Sequence, residues 1–153
     1  MENNPERAEK LFKEGYNCSQ AVLGAYCNEL GLDFETAMRI SSSFGGGMGR
    51  LREVCGAVSA MFMVAGLKFG YSDPKDSLLK QKHYELIQLL SKRFTDKNGS
   101  IICRELLGLD IRQDSPVPAA RTAGYYKKRP CAELVKCAAE TIDEVFKEKL
   151  GTK

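Results

Sequence analysis

Apolar residues recur along this chain three and four positions apart, the spacing of helices with one buried face, and no convincing run alternates as a half-buried strand does. One stretch lacks a polar face altogether. From Val54 to Leu67 nearly every residue is apolar or small and none is charged, so a helix over about Leu51–Gly70 has nothing to offer water and is expected at the centre of the fold. It falls short of the roughly 20 apolar residues a membrane span needs.

The remaining helices follow from caps and breakers. Asn4 is expected to cap the first, with Pro5 at its first helical position and Gly15 at its end. Asn17 opens the second with Gln20 as its capping-box partner, and Gly31 closes it. Asp33 caps a third, which runs out at the glycines after Phe44. Ser72-Asp73-Pro74 starts a long helix striped by Leu79, His83, Leu86, Leu90 and Phe94, and Asn98-Gly99 stops it. Ser100 caps a short helix carrying Cys103, Leu106 and Leu107. The pattern then dissolves from Gly108 to Arg129 into a long loop, a length often functional in a compact domain. A last helix opens at Pro130-Cys131, with Leu134, Val135, Ala138, Ile142, Val145 and Phe146 on one face. The pattern describes an all-α, single-domain bundle over 1–153 with a buried central helix.

Length agrees, since 153 residues suit one domain that buries roughly 70% of its extended surface. A net charge of +3 spread along the chain gives no basic face for nucleic acid. The opening Met-Glu-Asn-Asn-Pro-Glu-Arg is acidic and not apolar, so neither a signal nor a transit peptide is expected and the reading is cytoplasmic. That location changes the meaning of six cysteines. In a reducing compartment such a count points to metal, cluster or redox chemistry rather than structural disulfides. No CxxC spacing is present, so any shared site must be assembled by the fold.

Placed on the expected helices, Cys18, Cys103 and Cys131 fall at or near helix starts, and Cys55 follows the glycine turn. Unpaired amides and the positive dipole end stabilise an anion there, and can lower a thiol from about 8.5 into the range of roughly 3.5–7.5. Cys55 is the weakest placement, because a helix starting at Leu51 puts it in the second turn. Two thiols whose Cα atoms lie within about 7 Å can cycle between dithiol and disulfide. Four that converge suit an iron–sulfur cluster or a tetrahedral zinc. Gly46, Gly47, Gly49 and Arg50 would let such a group approach the backbone, and Arg50 with Arg52 would attract an anion or keep thiolates charged. Singly, each cysteine reads as a small buried hydrophobe, and for mid-helix Cys27 and Cys137 that reading stands.

Cys55-Gly56-Ala57-Val58-Ser59-Ala60, with Asn17-Cys18-Ser19-Gln20 upstream and Cys103-Arg104-Glu105-Leu106 and Pro130-Cys131 downstream, resembles the C-GCAxxG-C-C family of putative redox-active proteins. The resemblance runs from about Ala8 to Val145. It implies that Cys18, Cys55, Cys103 and Cys131 are the family's four cysteines and that their role is redox. Ala60 departs from the pattern, standing where the motif has its second glycine.

Other features read more plainly. His83, the only histidine, is expected as a core residue bonded to a carbonyl, with a place beside the thiols as the sharper alternative. The glycine turn lacks the Gly-Lys-Ser/Thr of a phosphate loop, which argues against nucleotide binding. Arg121 to Arg129, basic and aromatic, reads as a solvated loop, with contact to nucleic acid or an acidic partner and gating of Cys131 as the alternatives. The leading expectation is a redox protein using the four cysteines as ligands of one iron–sulfur or zinc centre, which is favoured, or as exchanging thiols with Cys55 the most activated. The alternative is a helical assembly module with incidental thiols. The redox partner is open, and so is a homodimer.

Overall fold

The computed structural model describes residues 2–151, so the ends of the expected 1–153 domain lie outside the described residues. Among the described residues there are eight α-helices: α1 (Asn4–Lys13), α2 (Cys18–Tyr26), α3 (Phe34–Ser41), α4 (Gly56–Phe69), α5 (Ser77–Asn98), α6 (Cys103–Leu106), α7 (Ala123–Lys128) and α8 (Cys131–Gly151). The fold is an all-α bundle. Among the described residues the only extended pairing is a single antiparallel bridge, Val54 to Ile102.

Two helices, not one, fill the middle. In α4 both faces are covered, with Ala57, Val58, Ala60, Met61, Val64 and Ala65 all buried. α2 is as enclosed, since Ser19 and every residue from Ala21 to Tyr26 are buried. Its small residues permit this: a Cβ on Gly24 would come within 3.0 Å of Met38 and 3.1 Å of Leu11. The long α5 and α8 cover α4 with Leu86, Leu90 and Phe94 on one side and Val135, Ala138, Ile142 and Val145 on the other. α1 lies along α2 and α8.

Several starts differ from the sequence reading. α1 is capped by Asn3, whose side chain accepts from the Glu6 amide, because that register also lets Glu6 return a bond to the cap. The Asn17–Gln20 capping box and the Asp33 cap are as expected. α2 ends earlier, at Tyr26, so Cys27 is its C-cap rather than mid-helix, and Gly31 follows at φ +78°. α5 begins at Ser77 with Asp76 as cap, and Leu79 is exposed. The Ser100 hydroxyl accepts from Ile102, while Ile102 itself stands at the cap of α6.

The central helix starts at Gly56, not near Leu51, for a backbone reason. Gly46, Gly47, Met48, Gly49 and Arg50 carry φ values of +60° to +70°, and Arg52 +58°, so the chain winds a left-handed turn before α4. A Gly49 N–H to Gly45 carbonyl bond of 2.9 Å closes it. Three glycines make the turn affordable, whereas Met48, Arg50 and Arg52 hold the same region at about 1–3 kcal/mol each. Strain of that kind persists where surrounding contacts fix it, and here those contacts belong to the thiol site.

Candidate functional site

All four helix-start cysteines line one cavity of about 320 Å³. Cys18 and Cys131 are the first residues of α2 and α8, Cys103 the first of α6, and Cys55 is the cap of α4. The late start of α4 therefore removes the weakness in the placement of Cys55. Cys27 and Cys137 are not in the lining; Cys137 instead accepts from the Asn98 side chain at 3.3 Å.

Backbone pairing brings distant thiols together. Cys55 N–H donates to the Ile101 carbonyl at 2.8 Å and Cys103 N–H to the Glu53 carbonyl, flanking the Val54–Ile102 bridge. Cys55 and Cys103, 48 positions apart in sequence, are fixed as neighbouring rungs. Gly47 packs on the same junction, where a Cβ would lie 2.5 Å from the Cys103 Cβ. Of the glycine-turn candidates Gly46, Gly49 and Arg50 line the cavity, while Gly47 serves packing instead. Gly56 does for Cys18 what Gly47 does for Cys103: an added Cβ would sit 2.5 Å from the Cys18 sulfur. The small residue at this point of the CGA element is thus required by the sulfur of another helix.

The four thiols are not equivalent. Cys18 is lowered from 9.0 to about 6, first by the hydrogen bond from Cys55 and further by the amides of Gly46, Ser19 and Gly56, against the opposing effect of burial. Two of those amides, Ser19 and Gly56, belong to the first turns of α2 and α4, whose free N–H groups favour an anion. Cys55 moves the other way, well above its ordinary value, because it donates to Cys18 and is buried. The expectation that Cys55 is the most activated thiol is therefore corrected: Cys18 is. Burial pushes Cys103 up although Arg52 Nη1 points at its sulfur from 3.6 Å. Cys131 rises to about 11, through burial first and then the charges of Cys18 and Cys103, with Arg129 and Tyr125 opposing.

The loop from Gly108 onward is a wall of the cavity rather than a free segment. Pro116, Pro118 and Ala119 line it, and Asp114 ties the loop down through Arg50 at 3.0 Å and Arg52 at 2.9 Å. Its later part contains helix α7 and is not simply solvated. Arg121 donates to the Phe12 and Tyr16 carbonyls at 3.0 and 3.1 Å and lies 4.2 Å from the Phe12 ring, while Tyr125 and Arg129 reach the cavity. Reading that stretch by its charge alone missed them; the signal was its position directly before Cys131. His83 lies away from the thiols, edge-on to Tyr71, and its buried Nδ1 finds no carbonyl.

As for a metal, no group of three or more His, Cys, Asp or Glu side chains stands close enough to hold one ion among the described residues. Among the four thiols, Cys18 and Cys55 are each the largest influence on the other.

Fold and site together define a helical bundle that gathers thiols from four helix starts around one cavity. The family model described as putative redox-active protein (C_GCAxxG_C_C) matches residues 16–145, and the chain belongs to that family. The match takes in all four cavity cysteines and starts somewhat later than Ala8. No curated protein and no solved structure matches the chain.

Proposed function

We propose that this protein is a dithiol oxidoreductase in which Cys18 is the attacking sulfur and Cys55 the resolving one. The observation that carries the reading is that Cys18 and Cys55, from the starts of two helices, line one cavity and act on each other, with Cys18 lowered to about 6 and its partner raised. At a pH of about 7 a thiol of that pKa is roughly nine-tenths thiolate, the form that attacks disulfides. The co-reactant is a disulfide. Cys18 thiolate attacks one of its sulfurs, forming a mixed disulfide and releasing the other half as a thiolate that takes up a proton. Cys55 then loses its proton and attacks the Cys18 sulfur, releasing the second half as a thiol. Two electrons pass from the protein to the disulfide, with one proton from Cys55 and one from solvent, leaving a Cys18–Cys55 disulfide. A cytoplasmic reductant would reverse this.

Cys103 and Cys131 belong to the same site and stay protonated near neutrality, so neither competes with Cys18 as the first attacking sulfur. A bound iron–sulfur or zinc centre is the competing use of the same four sulfurs, and it is distinguished by metal analysis and visible absorption. The test is trapping. The Cys55→Ser variant should accumulate a mixed disulfide on Cys18 that the unaltered chain resolves, as read by intact-mass spectrometry. A colourless protein with no trapped adduct, or a brown one that loses its colour when any of the four is replaced, overturns the exchange reading.

A further inference from the structure

The cavity beside the thiol pair is lined by four arginines, Arg50, Arg52, Arg121 and Arg129, and by no aspartate or glutamate. Their charge is only partly answered. One Asp114 oxygen serves both Arg50 and Arg52, at 3.0 and 2.9 Å. Arg121 spends its hydrogen bonds on neutral carbonyls. Arg129 lies 5.8 Å from the Tyr125 ring and has no carboxylate partner among the described residues. Arg52 is the most telling: it is 4% exposed, held at a left-handed φ of +58°, and its Nε has no hydrogen-bond partner. A buried donor left unmade is costly, more so in a charged group, and such a group calls for a ligand. Cavities of about 300 Å³ lie at the small-molecule end of the range.

We infer that this cavity seats a small carboxylate-bearing compound, its anionic group held at Arg52 and Arg129. Resting on the exchange reading above, that compound is the disulfide whose sulfur Cys18 attacks. Its carboxylate supplies the missing acceptor for Arg52, and the arginines raise its local concentration beside a thiolate that by itself would repel it. The atoms and electrons balance as already written, with the carboxylate unchanged.

Two measurements on the full chain test this. In the first, the reduced protein meets dithiodipropionate, bis(hydroxyethyl) disulfide and cystamine, which are anionic, neutral and cationic, each rate being divided by that of dithiothreitol with the same reagent. The anionic disulfide should be favoured by about tenfold or more, within the usual range of electrostatic steering, and the advantage should shrink in Arg129→Gln and in Arg52→Gln. Equal normalised rates, or a preference for cystamine, overturn the inference while leaving exchange itself intact. In the second, calorimetry follows thiodipropionate, a thioether that cannot exchange, on the Cys18→Ser variant. Binding that is lost in a second Arg129→Gln substitution supports the anion seat even if no disulfide reacts, and absence of binding overturns it. Arg129 is half-buried on the loop, so its variant keeps the test open if Arg52→Gln fails to fold.

Discussion

Removing the Cys55 S–H is the perturbation that bears most directly on the reactivity of Cys18, because that hydrogen bond is the largest single reason its thiol is lowered. Cys55→Ala deletes the donor and Cys55→Ser retains one. With a value of about 6, Cys18 is roughly 90% thiolate at a pH near 7; at the ordinary 9.0 it would be about 1%. The amides of Gly46, Ser19 and Gly56 remain in either variant, so recovery toward 9.0 is incomplete. A rise of at least about one unit is expected in Cys55→Ala, and a smaller one in Cys55→Ser, since a hydrogen bond to the charged form is what favours it. The assay is the rate of iodoacetamide alkylation at Cys18, resolved by peptide mass spectrometry across a pH series. Its midpoint should lie near 6 in the unaltered chain and move up in the order serine, then alanine. An unmoved midpoint in Cys55→Ala, or a midpoint near 9 in the unaltered chain, would refute the reasoning.

Other outcomes follow from the same geometry. Cys18 binds its proton more weakly folded than unfolded, so the unfolded chain carries more protons between about pH 6 and 9 and stability rises with pH there; it is fully present above 9 and lost as pH falls through 6. Cys131, raised to about 11, acts oppositely, its contribution present below about 9 and lost as pH climbs through 11. Urea melts across pH should therefore show a maximum near pH 9, and Cys18→Ser should flatten the acidic limb. Gly47→Ala meets both a φ of +69° and the Cys103 Cβ at 2.5 Å, and should lose about 2 kcal/mol or more in the same melts. Gly66→Ala, within α4 and with nothing inside 4 Å, should gain roughly 0.5–1 kcal/mol. Leu90→Ala, fully buried on α5, should cost about 2–5 kcal/mol without moving the Cys18 midpoint.

The helices were legible because their signals are local. Asn17 with Gln20, Asp33, and the apolar run of α4 all act within a few residues, and each produced the expected element. Helix-start placement also selected Cys18, Cys55, Cys103 and Cys131, which the fold brings to one cavity. What the sequence concealed depends on long-range contacts. The start of α4 is set by a left-handed turn that includes Met48, Arg50 and Arg52, residues with no local preference for that region. The order of the thiols is set by which sulfur donates to which, so Cys55, at the motif, turned out to be the donor and Cys18 the acceptor. Arg121 and Arg129 looked like solvated charges because their partners are the Phe12 and Tyr16 carbonyls and the Tyr125 ring, one of them 109 positions away.

Disulfide mapping of the protein after a single equivalent of a small disulfide addresses the whole proposal at once. Mass spectrometry of the digested, alkylated sample should find Cys18 joined to Cys55, with Cys27 and Cys137 still free. A first bond between any other pair, or no bond formed in a protein that instead carries stoichiometric iron or zinc, would contradict it.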